Sequence, residues 1–281
     1  MPIDERALTF TCQGEQLVGI LSLPAPQVAC TRGVLVVVGG PQYRAGSHRQ
    51  FTLLARSLAE HGIAALRFDV RGMGDSAGAA RTFEAIDEDV RAAVDAFQQA
   101  VPGLSEVVLW GLCDAASAIT LYAARDPRVA GLVLLNPWVR TEEGLARATL
   151  KHYYRARLLE WAFWKKLLLG RFDVLGSLRS MLGLARAAQG GGDAGKASGS
   201  LPERMRAGLA AFRGPVLVIT AGADLTAREF CDLAQGDAAW RDLLAAPRVT
   251  QRQLDRADHT FSTRAWRDQV EAWTRAWIVS W

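Results

Sequence analysis

One stretch of the sequence, residues 106–118, constrains the fold more than any other. It begins with an apolar run at 107–110 that is typical of a buried strand, and it continues past a glycine and a lone cysteine into small residues that favour a helix. The residues two before and two after Cys113 are Gly111 and Ala115, and small residues there allow a strand to turn sharply into a helix. The stretch therefore predicts a strand–turn–helix unit with Cys113 exposed at its corner. The alternative is a buried cysteine that only packs in the core.

Apolar segments alternate with amphipathic segments along the rest of the chain. Apolar runs predict an opening hairpin at 8–11 and 17–23 and then strands at 33–38, 63–68, 129–135 and 216–220, and a last strand is predicted at 249–254. Helical patterns lie between them at 51–61, 83–99 and 263–281, and Ser47 with Gln50 predicts a capping box for the first. Strands that alternate with helices at this spacing predict an α/β fold, in which a mostly parallel central sheet is flanked by helices.

The interval at residues 137–214 is too long for a simple connection in a compact sheet. Its patterns are mostly helical, apart from the glycine- and serine-rich run 189–200, which lacks apolar periodicity and is predicted to be a mobile loop. We therefore expect a core made of residues 1–136 and 215–281 that is interrupted by a helical lid at 137–214.

The composition argues against several classes of function. The 281 residues are 50% hydrophobic, which is enough for one core, yet no apolar run is long enough to cross a bilayer. The first residues lack the apolar segment of a signal peptide, and the four cysteines have neither paired nor metal-ligand spacing, so we expect a cytoplasmic protein without a metal site. A formal net charge of +4, with arginines spread along the chain, is too small to predict nucleic-acid binding.

Several motifs resemble those of known proteins. The corner sequence 111–115 and the glycine-rich sequence 69–76 occur in the order typical of the α/β-hydrolase superfamily, and this similarity extends over nearly the whole chain. The corner is then the superfamily's nucleophile elbow, with a cysteine where a serine is usual. In more detail, the chain resembles the exosortase A system-associated hydrolases, type 1, in segments 39–44, 47–51, 67–69 and 135–140. The resemblance implies an α/β-hydrolase fold and a hydrolytic enzyme, but it does not supply a substrate.

The superfamily's order of nucleophile, acid and histidine indicates three catalytic candidates, Cys113, Asp224 and His259. Each lies just past a predicted strand, where ligands bind in open α/β sheets. His259 would accept the thiol proton and later activate water, while Asp224 would orient the imidazole. The start of a helix and the imidazole would both favour the nucleophilic thiolate. Asp258 is the rival acid and Ser117 the rival nucleophile, although Asp258 adjoins His259 in sequence and Ser117 would lie within a helix.

An enzyme of this kind needs an oxyanion hole of two backbone N–H groups. One should belong to Asp114, the residue after the nucleophile. The other should come from the loop at 39–42, where the position that usually donates is Pro41, which has no N–H. Gly40 or Gln42 would then have to donate, or the hole is weaker than usual.

Five side chains are candidates for contact with the substrate. Arg44 and His48 follow the glycine loop and could meet an anionic group, or they could be solvated at the start of a helix. Trp138 follows a predicted strand. Tyr154 and Trp161 fall on one apolar face of a predicted lid helix, where they could line a pocket, pack within the lid or contact a membrane surface.

Together these features predict a hydrolase that cleaves a small-molecule ester or thioester through a covalent acyl group on Cys113, without a metal or organic cofactor. Coenzyme A or an acyl carrier protein could carry the acyl group, since basic side chains would attract phosphates or an acidic surface. Two alternatives stay open, an acyltransferase with the same three residues and a non-catalytic binding protein on a hydrolase scaffold. Lactone opening, as in dienelactone hydrolases, shares the cysteine triad but has no substrate-specific support in the sequence.

Overall fold

The segments predicted to be strands form one eight-stranded sheet in the computed structural model, which describes residues 3–25, 29–40, 42–139 and 199–281. The strands of this part of the chain are Asp4–Cys12 (β1), Glu15–Leu23 (β2), Arg32–Val37 (β3), Ala64–Phe68 (β4), Glu106–Leu112 (β5), Val129–Leu135 (β6), Val216–Ala221 (β7) and Val249–Leu254 (β8). Their order is β1-β2-β4-β3-β5-β6-β7-β8. The β1–β2 hairpin and the β2–β4 pair are antiparallel, and the other pairs are parallel. The predicted α/β-hydrolase fold is confirmed.

Helices flank this sheet. Those in the described ranges are Gln50–Glu60 (α1), Asp87–Ala100 (α2), Asp114–Tyr122 (α3), Leu201–Ala211 (α4), Leu225–Gly236 (α5), Ala238–Leu244 (α6) and Arg264–Ile278 (α7). Phe51 and Leu54 of α1 and Trp277 of α7 join alternate residues of the central strands, such as Val34 and Val36, in one buried cluster. Because successive strand residues point to opposite faces, these residues define the apolar face that α1 and α7 cover.

The parallel register brings the carboxyl ends of the central strands to one edge of the sheet. Val37 of β3 lies beside Gly111 of β5, and Leu112 of β5 lies beside Leu135 of β6. Leu135 in turn lies beside Ile219 of β7. The segments that follow these strands therefore meet at one edge, although they are far apart in the sequence.

The start of α1 differs from the sequence prediction. Ser47 does not cap the helix, because Ser47–Arg49 forms a 3-10 turn and α1 begins at Gln50 without a side-chain cap. His48 and Arg49 have φ angles of 52° and 57°, so the chain passes through a left-handed turn before it enters the helix. That turn displaces Ser47 from the N-cap position.

By its internal contacts the chain divides into two compact units, Met1–Trp138 with Arg204–Trp281, and Val139–Glu203. The second unit falls within the interval predicted to be a lid. Residues 140–198 lie outside the described ranges, so the lid and its glycine-rich loop stay predictions. Across the described ranges, no helix combines the length and the apolar character that a membrane crossing requires.

Candidate active site

Cys113 forms the sharp turn between β5 and α3. Its backbone has φ 62° and ψ −122°, a strained conformation for a residue with a side chain. The turn needs a glycine two residues earlier, because a Cβ at Gly111 would lie 2.7 Å from the backbone carbonyl carbon of Ala115. The Cys113 N–H donates to the carbonyl of Leu135 at 2.8 Å, which joins the corner to the end of β6. The cysteine is thereby held half-buried at the carboxyl edge of the sheet.

Asp224 and His259 come together beside this corner. Nδ1 of His259 lies 2.8 Å from Oδ2 of Asp224, and the imidazole also hydrogen-bonds the thiol of Cys113. The Asp224 carboxylate is fixed as the N-cap of α5, where it accepts from the N–H groups of Thr226 at 3.3 Å and Ala227 at 3.1 Å. The hydrogen bond with Asp224, and then that with Cys113, raises the pKa of His259 to about 10 against the opposing effect of burial. The imidazole therefore stays protonated well above neutral pH.

Asp258, the rival acid, makes a different contact. Its carboxylate accepts hydrogen bonds from the N–H of Ser262 at 3.0 Å and from the Ser262 hydroxyl. Burial would raise the pKa of Asp258, but the bonds from Ser262 and Thr260 and the charge of His48 hold it below its usual value. The acid that is hydrogen-bonded to the His259 ring is therefore Asp224.

A buried amide, Asn136, connects two parts of the site, and sequence reasoning did not assign it to the site. Its Oδ1 accepts from the N–H of Ala221 at 2.8 Å, and its Nδ2 donates to the carbonyl of His259 at 2.9 Å. Asn136 has a φ of 43°, which asparagine tolerates better than most residues. An asparagine directly after a buried parallel strand is the signal that could have identified it. Its side chain fixes the His259 loop to the end of β7.

The carboxylate of Asp114 lies against the glycine loop that follows β3. It accepts hydrogen bonds from the backbone N–H of Ala115 at 2.9 Å, from that of Gly40 and from its own. The close approach requires a glycine, because a Cβ at Gly39 would lie 2.1 Å from Oδ1 of Asp114. Burial raises the pKa of Asp114, whereas these donors and the charge of nearby His259 act in the opposite direction.

The backbone N–H groups predicted to form an oxyanion hole, those of Asp114, Gly40 and Gln42, have different hydrogen-bond partners. The Gly40 N–H is bound by the Asp114 carboxylate, which also accepts from the Asp114 N–H. The Gln42 N–H forms a long hydrogen bond, 3.4 Å, with the carbonyl of Gly39. Pro41 lies outside the described residues.

Arg44, predicted to contact the substrate, is engaged in ion pairs. Its guanidinium pairs with the carboxylates of Asp69 and Asp75, and its backbone N–H donates to Oδ1 of Asp69 at 2.6 Å. Asp69 is fully buried, so the pair anchors the segment after the glycine loop to the end of β4. His48 lies in the left-handed turn before α1, near enough to Asp258 that the charge of its imidazole lowers the pKa of the Asp258 carboxyl.

Trp138 lies next to the corner residue. Its N–H donates to the carbonyl of Cys113 at 3.2 Å, and its carbonyl accepts from the hydroxyl of Ser117 at 2.5 Å. Ser117 is fully buried, so the rival nucleophile is enclosed within α3. Tyr154 and Trp161, the two lid candidates, lie outside the described residues. Within the described part of the chain, no group of three or more histidine, cysteine or acidic residues is arranged to hold a metal ion.

Solved structures share this fold. The esterase Pf2001 of Pyrococcus furiosus matches with a TM-score of 0.66 and 15% identity, covering 99% of this chain and 93% of its own. Est1E of Butyrivibrio proteoclasticus, solved with ferulic acid bound, matches with a TM-score of 0.63 and 17% identity, covering 98% of this chain and 100% of its own. At such low identity, the likeness concerns the fold alone.

Similarity in sequence identifies the family of the chain. A curated relative, the polyketide transferase grgF of a Penicillium species, is 33% identical over 94 residues, which are 31% of each chain, so this chain spans about a third of that relative's length. Residues 29–181 of the 281 match the family Hydrolase_4, described as serine aminopeptidase, S33. The matched segment contains the glycine loop and Cys113. From that match over more than half of its length, and from its fold, the chain belongs to the Hydrolase_4 family of α/β hydrolases.

Proposed function

We propose that this protein is a hydrolase that cleaves an ester or thioester through a covalent acyl group on Cys113. The observation that supports this most directly is the series of contacts from Asp224 through His259 to Cys113, with 2.8 Å between Oδ2 and Nδ1. A nucleophile at a strained corner, a base and an orienting acid form the arrangement that activates a thiol. An imidazole that is protonated at neutral pH stabilises a thiolate beside it.

The reaction has two halves. In the first, the Cys113 thiolate attacks the carbonyl carbon, an S–C bond forms, and the leaving oxygen or sulfur departs with the proton from Nε2 of His259. In the second, His259 takes a proton from water as that water attacks the thioester carbonyl. The S–C bond then breaks and the carboxylic acid is released. Asp224 holds Nδ1 throughout, so that Nε2 serves the sulfur and the water.

Direct detection of the acyl-enzyme tests this proposal. After mixing with p-nitrophenyl acetate, the intact mass of the wild-type protein should increase by one acetyl group and then return to its starting value. Cys113→Ala should show neither the adduct nor turnover. Turnover by Cys113→Ala at the wild-type rate would contradict the role of the thiol, and a folded wild-type protein with no adduct and no turnover would favour the non-catalytic binding protein.

For the natural substrate we propose an acyl thioester, carried on coenzyme A or an acyl carrier protein. Attack by a thiolate on a thioester exchanges one C–S bond for another, so the first step needs little driving force. Arg44 does not attract phosphates, because its single positive charge is paired with two carboxylates, those of Asp69 and Asp75. The electrostatic part of the proposal rests on basic residues of the predicted lid, namely Lys151, Arg155, Lys165 and Lys166.

A matched pair of substrates tests the thioester proposal. One acyl group is presented as an oxygen ester and as a coenzyme A thioester, and both are assayed at low and high salt. We expect faster turnover of the thioester relative to its spontaneous hydrolysis, with a loss at high salt because exposed charges are screened over about 8 Å at physiological ionic strength. Faster turnover of the ester, with no salt effect on the thioester, would leave a small-molecule esterase.

A second candidate function is acyl transfer from the same acyl-enzyme. It is favoured by the name of the Penicillium relative, a polyketide transferase, and by the ease with which amines and thiols capture thioesters. The acetylated enzyme should be challenged with hydroxylamine and with cysteamine. Deacylation that accelerates and saturates with acceptor concentration would support a transferase, whereas a rate set by water would support the hydrolase.

We also propose that the protein is one of the exosortase A system-associated hydrolases, type 1, and acts in the cytoplasm. Segments 39–44, 47–51 and 135–140 support the first statement. All four cysteines lie in the described residues and form no disulfide, which fits a reducing compartment. Fractionation of the producing cells and the identity of the neighbouring genes test the two statements.

A further inference from the structure

The carboxylate of Asp114 lies beside the nucleophile but takes no part in the proposed reaction. It accepts hydrogen bonds from the N–H of Ala115 at 2.9 Å and from that of Gly40. These bonds join the first turn of α3 to the loop after β3. An oxyanion hole must take its donors from these same two segments.

The glycine loop is shaped around this carboxylate. A Cβ at Gly39 would lie 2.1 Å from Oδ1 of Asp114, and a Cβ at Gly40 would lie 3.5 Å from Oδ2. Gly40 also has a φ of 54°, which a glycine adopts without strain. Hydrogen bonds to an ionised acceptor are stronger than those between neutral groups. The contact therefore fixes the position of the loop relative to Cys113.

The contact also decides which N–H of the loop is left for an oxyanion. Gly40 lies against the Asp114 carboxylate, which takes up its N–H, and residue 41 is a proline without an N–H. The Gln42 N–H is only weakly held, since its bond to the carbonyl of Gly39 is 3.4 Å long and the usual range is about 2.7–3.2 Å. The Asp114 N–H has its own carboxylate as acceptor, and a bond within one residue is far from linear.

We propose that Asp114 is a positioning residue of the oxyanion hole: its carboxylate clamps the loop through Gly40 and leaves the N–H groups of Gln42 and Asp114 to bind the oxyanion. This inference rests on the proposed acyl chemistry at Cys113. In this proposal Gln42, rather than Gly40, compensates for Pro41.

The Asp114 carboxylate could instead be a plug, which occupies the oxyanion hole in the free protein and must move away before a substrate binds. Leaving would break its bonds to Gly40 and Ala115 and would strand a charged group in a half-buried site, whereas staying costs the reaction only the Gly40 donor. The clamp is therefore favoured. The two interpretations make opposite predictions, because removal of the carboxylate slows acylation if Asp114 is a clamp and accelerates it if Asp114 is a plug.

Two reactions of Cys113 separate the role of Asp114 from general damage. Alkylation by iodoacetamide needs the thiolate but forms no oxyanion, whereas acetylation by p-nitrophenyl acetate needs both. In Asp114→Ala we expect acetylation to slow by about 30-fold or more, approaching the loss caused by removing an oxyanion donor, with alkylation within about threefold of wild type. Asp114→Asn keeps an oxygen that can accept from Gly40 and should recover most of the acetylation rate.

Asp237→Ala is the matched control. Asp237 also accepts from the first N–H groups of a helix, those of Ala239 and Trp240, but it does so at α6. This variant should lower the midpoint of thermal unfolding and leave both reactions of Cys113 unchanged.

The clamp is overturned if Asp114→Ala acetylates at the wild-type rate or faster, or if alkylation falls together with acetylation. If Asp114→Ala does not fold, Asp114→Leu, which also lacks an acceptor, replaces it under the same criteria. Failure of the proposed function would look different, because Cys113 of the wild-type protein would then not acetylate at all.

Discussion

Cys113 is held in a backbone conformation that costs about 1–3 kcal/mol for a residue with a side chain. The surrounding structure offsets this cost through the bond from the Cys113 N–H to Leu135 and through the close packing of Gly111 on α3. The result at the residue scale is a sulfur aimed at His259, whose imidazole keeps its proton because Asp224 and the thiol both hydrogen-bond it.

The rate of alkylation at neutral pH should reveal this pairing. Because the pKa of His259 is raised to about 10, its positive charge lies beside the sulfur of Cys113 at neutral pH, and iodoacetamide should label Cys113 well before the other cysteines. Cys231, whose pKa is raised by burial, is the internal control and should react slowly. Peptide mass spectrometry measures both rates. Labelling of Cys113 no faster than that of Cys231 would refute the activated thiolate.

Asp224→Asn should lower turnover by about four orders of magnitude, by analogy with the loss of the correct imidazole tautomer in other triads. Asparagine is as good an N-cap as aspartate, so α5 and the fold should survive. Asp258→Asn should cost far less. The comparison is made by kcat for the ester and thioester pair, and equal losses in the two variants would show that Asp224 is not the orienting acid.

Asp224→Asn should also change how the stability of the fold depends on pH. A His259 pKa raised in the folded state stabilises the fold fully below its unfolded value near 6.5, and the gain is lost as pH rises through about 10. The difference in thermal midpoint between wild type and Asp224→Asn should therefore be largest at about pH 6.5 and shrink steadily as the pH rises from there towards 10. A difference that grows with pH would have the wrong sign.

At the scale of elements, the site depends on how the ends of β5, β6 and β7 are joined. Asn136, directly after β6, accepts from Ala221 at the end of β7 and donates to the carbonyl of His259. Both hydrogen-bond partners of the Asn136 side chain are backbone groups, so Asn136 positions the His259 loop independently of the side chains of that loop. The turn that carries Asp224 follows β7 as well, so one buried side chain helps to set the relative placement of Asp224 and His259.

Asn136→Ala should reduce stability and turnover together. Each buried backbone group left unpaired, the Ala221 N–H and the His259 carbonyl, costs about 1–3 kcal/mol in the free energy of unfolding. Urea unfolding and kcat measure the two effects. Thr274→Val is the control, since the buried Thr274 hydroxyl has no hydrogen-bond partner among the described residues, and this change should leave kcat and stability nearly unaltered. Full activity in Asn136→Ala would remove its positioning role.

At the scale of the whole molecule, the antiparallel hairpin must be held to a sheet that is otherwise parallel. Glu5 of β1 does this, because it pairs with Arg56 of α1 and with Arg67 of β4. Burial alone would raise the pKa of Glu5, but the hydrogen bonds and charges of the two arginines outweigh it and hold the pKa below its usual value. The hairpin is therefore attached most strongly when Glu5 is ionised.

Glu5→Gln should cost about 1–2 kcal/mol of unfolding free energy at pH 7, since it weakens hydrogen bonds to a partly buried charge. A depressed folded pKa contributes stability above the unfolded value near 4.3, and that contribution is lost as pH falls through the folded pKa. The difference between wild type and variant in urea unfolding should therefore shrink from pH 7 towards pH 3. A difference that is constant with pH would assign the effect to packing.

Several strands, the corner at Cys113 and the candidate site residues could be predicted from the sequence by itself. The strands at 129–135 and 249–254 were predicted with the bounds that the structure shows. For 129–135 the reason is that an apolar run between turn residues is a local signal. The corner at Cys113 was predicted for the same reason, since Gly111 and Ala115 lie within a few residues of it. The order of Cys113, Asp224 and His259 along the chain indicated the catalytic candidates.

Other features were decided only by the tertiary structure. The contacts of Asp224 rather than Asp258 with His259, the bridge made by Asn136, and the pairing of Arg44 with Asp69 all join segments that follow different strands. Local patterns cannot specify such contacts, because they depend on the register of the parallel strands, β3 with β4 and β6 with β7 and β8, and on how each loop leaves its strand. The approach of Asp114 to the glycine loop is of the same kind. It exists because β3 and β5 are neighbours in the sheet, although the sequence separates them by a helix, a strand and another helix.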